Sequence, residues 1–190
     1  MNDFWRGLAS IQSLRARFEE EKRIVLLVSP LRTSGQIDFL KEKNGQVRFA
    51  RRTFTPTATA LIVNQQRMEI NDGQRVQRID FANQPFVRSF VGALFDLLQG
   101  KREFIEQQYE VQFQSKENKS WKLELRPKNE PLSRLIEELG FEGTGNLIHQ
   151  MTIKEKTGDL SITSFSQTQI NYSYSQDEIA RVFSPLVLSN

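Results

Sequence analysis

Residues 34–54 read SGQIDFLKEKNGQVRFARRTF, and the pattern inside them is a hairpin. Ile37 and Phe39 stand two apart, Val47 and Phe49 do the same, and Asn44-Gly45 separates the two runs. A period of two places each pair on one face of a strand, and Asn-Gly supplies the left-handed backbone of a tight turn. Downstream the pattern continues. TALIVN (59–64) and RMEIN (67–71) are short alternating runs, Asp72-Gly73 is a second turn, and QRVQRIDF (74–81) carries Ile79 and Phe81 on one face. The sequence predicts an antiparallel meander rather than βαβ units, which need long crossovers.

Upstream, Phe4, Trp5, Leu8, Ile11, Leu14 and Phe18 recur at spacings of mostly three or four behind Asp3, a good N-cap. One long amphipathic helix is expected over residues 3–22, handing over near Lys22 to a strand in the β-branched run IVLLVS (24–29). After the meander comes PFVRSFVGALFDLLQG (85–100), opened by Pro85, closed by Gly100 and charged only at Arg88 and Asp96. Its apolar stripe is wider than one amphipathic face requires. A core helix buried on two sides and a movable lid both fit it.

The rest alternates again. A strand is expected over Phe104 to Phe113, a turn at KENK (116–119), and a strand in SWKLELRP with Trp121, Leu123 and Leu125 inward. A second helix, PLSRLIEELGF, is expected from Pro131 to a stop at Gly140. Strands LIHQMTIKEK, LSITSFSQ and TQINYSYS follow, and QDEIARVF is a last helical turn docked by Phe183. About ten or eleven antiparallel strands in one chain must curl to cover their apolar face. The expected fold is therefore mainly β, an incomplete antiparallel barrel, in a single domain spanning 1–190.

Composition excludes more than it selects. With 190 residues the chain can bury a core unaided, and with no cysteine it has no disulfide, thiol nucleophile or thiolate metal site. His149 is the only histidine, and no G-x-S-x-G serine accompanies it, so no triad is expected. No metal site, cofactor or catalytic residue is expected, and the chain is read as a non-enzyme. Gly140 to Gly145, GFEGTG, follows a predicted helix instead of opening one, so it is not a phosphate loop. Ten Lys and Arg face four acids between Lys43 and Arg102, an excess of +6, read as a solvated face and not a nucleic-acid surface. No run is long enough to span a membrane, and Met1 is followed by no signal-peptide pattern, which fits a cytoplasmic or a processed protein. What remains is apolar surface, including fourteen phenylalanines that suit a wide cavity or a large core.

The order of these pieces resembles one family. The stretch SLRARFEEEK, the strand at Ser34 to Phe39, the block NGQVRFARRTFTPTATALIVNQQRMEINDG, the end WKLELRPKN, the run LIHQMTIKEKTGDLSITSFS and the closing Phe183-Ser184-Pro185 are similar to the LolA outer-membrane lipoprotein carriers. The likeness is to a relative of that carrier in Gram-negative bacteria, over nearly the whole chain. It implies a half-barrel, apolar inside, beneath a helical lid, acting in the periplasm with its signal peptide removed. It also implies noncovalent carriage of lipids, acyl chains or lipoproteins by a monomer. Inner-membrane release proteins, outer-membrane acceptor proteins and transient membrane proximity would come with that role.

On this reading Phe39, Phe49, Leu61, Val63, Met68, Ile70, Val111, Phe113, Leu123 and Leu125 line the cavity, and Phe90, Leu94 and Leu98 close it. The family's carrier keeps an Arg-Pro on an early strand to hold the lid. Here the only Arg-Pro is Arg126-Pro127 on another strand, and Arg48, Arg51 and Arg52 are the candidate substitutes. The alternative use of the same half-barrel is an envelope sensor or adaptor that binds a protein partner.

Overall fold

A computed structural model describes residues 2–115 and 117–188; Lys116, the first residue of the expected KENK turn, lies outside them. Among the described residues the chain forms eleven strands and five α-helices. In order these are α1 (Asn2–Ala9), β1 (Ser13–Arg23), β2 (Leu31–Lys41), β3 (Val47–Thr55), β4 (Thr59–Val63), β5 (Arg67–Asn71), β6 (Val76–Asp80), α2 (Pro85–Leu98), α3 (Arg102–Gln108), β7 (Tyr109–Ser115), β8 (Ser120–Pro127), α4 (Leu132–Leu135), β9 (Ile136–Thr144), β10 (Leu147–Glu155), β11 (Leu160–Ile170) and α5 (Gln176–Val182). All eleven strands join one antiparallel sheet in the order β6-β5-β4-β3-β2-β1-β11-β10-β9-β8-β7. Among the described residues β6 and β7 have one neighbour each, so the sheet is not closed, consistent with the expected incomplete barrel.

The meander stands as expected. Asn44-Gly45 turns β2 into β3 with Gly45 at φ +80°, and the Asn44 side chain accepts from the Gln46 N–H at 2.9 Å. Asp72-Gly73 does the same between β5 and β6, with Gly73 at φ +92°. Pro85 opens α2, and Gly100 closes it in the left-handed region at φ +65°. The Gly100 N–H bonds the Leu97 carbonyl and the Lys101 N–H bonds the Asp96 carbonyl, both at 2.9 Å, the paired bonds of a Schellman ending.

Five expectations fail. The long N-terminal helix is only α1; from Ser13 the chain is strand. Leu14, Ala16 and Phe18 are buried at a period of two while Arg17 and Glu19 are exposed, and this alternation overrides the helix preference of Arg, Glu and Lys. The run IVLLVS is not a strand but the connection from β1 to β2, mostly exposed. Residues 104–108 of the expected Phe104–Phe113 strand belong to α3, so β7 begins only at Tyr109. The second helix is α4 alone; Ile136 and Leu139 are buried on β9, where Gly140 and Gly143 lie within the strand. The two strands expected after Asp159 are one, β11, followed by an irregular stretch to Ser175.

Contacts group the chain into two compact units. The first comprises Met1–Ile11, Glu20–Arg32 and Phe86–Phe165, the second Gln12–Glu19, Thr33–Pro85 and Ser166–Asn190. In the first unit α1 is too short to hold itself, and it is fixed by Phe4, Trp5 and Leu8, all buried. Burying each is worth about 1.5–3 kcal/mol. The Phe4 ring sits 5.0 Å from Phe113 and 4.6 Å from Trp121, centroid to centroid.

Candidate ligand face and the C-terminal clasp

Register decides which side chains of the second unit share a face. Phe39 pairs with Phe49, Phe49 with Val63, Val63 with Met68 and Met68 with Ile79, one row across five strands. The neighbouring row runs Ile37, Arg51, Leu61, Ile70. The six side chains assigned to the cavity on β2 to β5 thus lie on one face. Phe39 and Val63 are buried; Phe49, Leu61, Met68 and Ile70 are half-buried. In these two rows the polar side chains are Gln77, which pairs with Ile70, and Arg51, whose guanidinium lies 4.3 Å above the Phe18 ring and donates to the Thr33 hydroxyl at 3.3 Å.

The opposite face carries a polar spine that the sequence reading missed. Gln36 and Arg52 pair across β2 and β3, Asp38 lies opposite Ala50, and Ala60 of β4 faces Asn71 of β5. The C-terminal segment covers this face. Val182 and Phe183 pack on Ala50 and Ile62, with Leu40, Tyr174 and Ile179 around them. Arg52 donates to three carbonyls of that segment, Arg181 at 2.9 Å, Val187 at 3.0 Å and Ser184 at 3.2 Å, and the Asn71 amide donates to the Pro185 carbonyl at 2.8 Å. Burial pulls the Arg52 guanidinium below its ordinary pKa despite the attraction of Asp38.

Asp38 is the hub. It accepts from Arg15 Nε at 2.7 Å, Gln36 Nε2 at 2.8 Å and the Tyr174 hydroxyl at 2.8 Å. The Arg15 guanidinium lies 4.1 Å from the Tyr172 ring and 4.9 Å from the Tyr174 ring, and it reaches Glu178 at 3.2 Å. Glu178 is also the third residue of a capping box: it accepts from the Ser175 N–H at 3.0 Å while its own N–H bonds the Ser175 hydroxyl at 3.2 Å.

The Ser175 N–H, the Tyr172 hydroxyl and Arg15 together hold the Glu178 carboxyl at about 2, below its ordinary 4.5. A lowered folded-state value stabilises the protein above the unfolded pKa, and that contribution is lost as pH falls toward the folded one. Between pH 4.5 and about 2 the clasp should therefore loosen. Urea midpoints measured from neutral pH downward should drop across that window, and Glu178→Gln should flatten the drop; an unchanged slope would remove Glu178 from the account.

In the first unit the register is equally clear. Val111 pairs with Leu125 and Phe113 with Leu123; Leu125 faces Leu139, and Leu123 faces Phe141. Leu123 and Leu125 are fully buried, whereas Val111 and Phe113 are half-buried. On α2, Val91 and Phe95 are buried on one side and Ala93 and Leu97 on another. Phe90, Leu94 and Leu98 form the half-buried stripe between them. His149 is exposed on β10.

Residues 3–178 match the family described as outer membrane lipoprotein carrier protein LolA-like. The chain belongs to that family. No curated protein sequence matches it. Its fold is similar to that in the complex of Pseudomonas aeruginosa MucA and MucB, at TM-score 0.57 and 14% identity over 94% of this chain and 58% of that one. It is also similar to a DUF1329 family protein from Desulfovibrio piger, at TM-score 0.55 and 13% identity over 97% and 95%. A third likeness is to a putative outer membrane lipoprotein-sorting protein domain from Vibrio parahaemolyticus, at 0.51 and 12% over 87% and 88%. The LolA-like chain spans less than two thirds of the first of these.

The three arginines considered for this LolA-like chain do different things. Arg48 pairs with Glu42 at 2.5 Å, and Arg51 lies on the apolar face. Arg52 holds the C-terminal segment. The Arg126 of Arg126-Pro127 pairs with Glu138 at 3.1 Å, and Lys154 meets the same carboxylate at 2.7 Å. Burial pulls that carboxyl up, but the two cations outweigh it and hold it below its ordinary value.

Proposed function

We propose that this LolA-like protein is a noncovalent periplasmic carrier or binding protein for acyl chains, as free lipid or on lipoproteins, acting as a single domain and without a catalytic step. One observation carries the reading. The second unit has two sheet faces, one closed by the chain's own C-terminal segment and the other an apolar face left half-buried at Phe49, Leu61, Met68 and Ile70. Such a face, with a single charged residue in its two central rows, suits hydrocarbon, which gains about 0.8 kcal/mol per CH₂ removed from water. The reading assigns Phe39 and Val63 to the floor of the binding face. It assigns Phe90, Leu94 and Leu98 to the stripe of α2 available to a ligand, and Val111, Phe113, Leu123 and Leu125 to the apolar face of the first unit. Family membership supports carriage, with release and acceptor proteins at the two membranes as partners.

The test is a titration of delipidated protein with a fluorescent fatty acid and with a lipopeptide. Saturable binding is expected, and Leu61→Asp with Met68→Asp should weaken it by at least about tenfold, roughly 1.4 kcal/mol, with the fold retained because both side chains are half-buried. Protein that binds neither probe would overturn the reading. The fold is shared with a MucA/MucB complex. A native mass spectrum showing a protein partner and no lipid would accordingly move the assignment to an envelope adaptor.

A further inference from the structure

The connection from β1 to β2 places aliphatic side chains in water. Val25 is 66% exposed, Leu26 91% and Val28 105%, with Leu27 and Leu31 about half exposed. Scattered exposed leucines are ordinary, but a contiguous run at the end of two eleven-residue strands is a marker of an interaction site.

The run is held in place. The Val25 N–H donates to the Asp159 carboxylate at 3.0 Å, and the Leu27 N–H closes a turn onto the Ile24 carbonyl at 2.9 Å. Gly158 leaves room for Val25, since a Cβ there would come within 3.0 Å of Cγ2. At the base, Glu21 accepts from Arg23 at 2.9 Å and from Arg32 at 3.0 Å, and Lys22 pairs with Glu155 at 2.8 Å.

We propose that this tip docks the protein on a lipid bilayer. Val25, Leu26, Leu27 and Val28 enter the outer hydrocarbon layer while Arg23 and Arg32 stay among anionic headgroups. Two features select a bilayer. From Ile24 to Val28 the run has no aromatic and no polar side chain, whereas protein contacts concentrate their energy in Trp, Tyr and Arg and make little use of Leu and Val. Arg23 and Arg32 are 65% and 76% exposed whereas the Glu21 and Glu155 carboxylates at the base are each 27% exposed, so the charge presented beside the aliphatic tip is mainly positive, with Asp159 engaged by the Val25 N–H. Long arginine stems can then follow the apolar side chains while their heads remain hydrated. The tip shares no residue with the face proposed to hold acyl chains, so the two proposals fail separately.

The experiment is flotation of the full chain with vesicles of phosphatidylethanolamine and phosphatidylglycerol, against vesicles of phosphatidylcholine alone. The native chain should float with the first and less with the second. Leu26→Asp with Val28→Asp should cut the floated fraction by at least about tenfold while leaving the melting curve and fatty-acid binding unchanged. Leu186→Asp, at another exposed leucine, should float like the native chain. Three results would each overturn the proposal: native protein that stays at the bottom, a double variant that floats normally, or Leu186→Asp losing as much. A native dimer that ignores vesicles and is dispersed by the double variant would overturn it too, assigning the tip to self-association.

Discussion

Gly35→Ala is expected to leave little folded protein. Gly35 pairs with Thr53 of β3, and a Cβ built on it would lie 1.8 Å from the Arg52 carbonyl oxygen and 2.8 Å from the Phe18 ring. No side-chain rotation relieves a clash with backbone, so the paired strands must part, and with them the row that places Ile37 and Phe39 beside Arg51 and Phe49. Overpacking of this kind costs about 3 kcal/mol, a large fraction of the stability of a single domain. Chemical denaturation should report a midpoint far below that of the native chain, or no cooperative transition at all. Gly92→Ala is the matched control. Nothing lies within 4 Å of the added methyl, and in a helix interior alanine is favoured over glycine by about 0.8–1 kcal/mol. Equal behaviour of the two variants would mean that the strand contact at Gly35 is softer than its geometry.

Which parts of this fold the sequence discloses follows from where its signals are local. Turns are local, and Asn44-Gly45, Asp72-Gly73 and the Schellman glycine at 100 sit where backbone chemistry requires them. Strand faces are local too, so the alternation of Ile37, Phe39, Val47 and Phe49 places the apolar face before any contact is known. The failures occur where two periods overlap. Leu14 and Phe18 satisfy both i, i+4 and i, i+2, and only the burial of Ala16 between them selects the strand. The run at residues 24–29 has strong strand chemistry but no partner strand, and propensity cannot report a missing partner. The C-terminal clasp was invisible for another reason. Arg15, Asp38 and Arg52 are separated from Tyr174, Glu178 and Val187 by more than a hundred residues, and no short-range pattern links them. A hint was present, since Gln36, Asp38 and Arg52 alternate with the apolar positions on strands whose second face must then be covered by something polar.

Arg52→Met is expected to release that cover. The side chain is 1% exposed and directs its N–H groups at the carbonyl of Arg181, in the last turn of α5, and at those of Ser184 and Val187 beyond it. Methionine preserves length and apolar contact, so β3 should keep its place in the sheet. The three carbonyls would lose a charged donor, and hydrogen bonds to charged groups are worth about 1.5–3 kcal/mol each. Part of this returns when the segment lifts and water reaches it, which makes a net loss of about 3 kcal/mol the reasonable scale. The loss should be local before it is global. Amides of residues 177–183 should exchange faster by at least about a hundredfold, and trypsin should cut after Arg181, already exposed, while the strand amides of β3 and β4 stay protected. Arg51→Met, one residue away on the opposite face, should leave the exchange of α5 unchanged. If both variants loosen α5 equally, the clasp is held by Phe183 and Val182 packing and not by the guanidinium. If neither does, Asp38 and its partners suffice. Selective release by Arg52→Met alone would establish that a buried arginine closes one face of the sheet, leaving the other as the face open to a ligand.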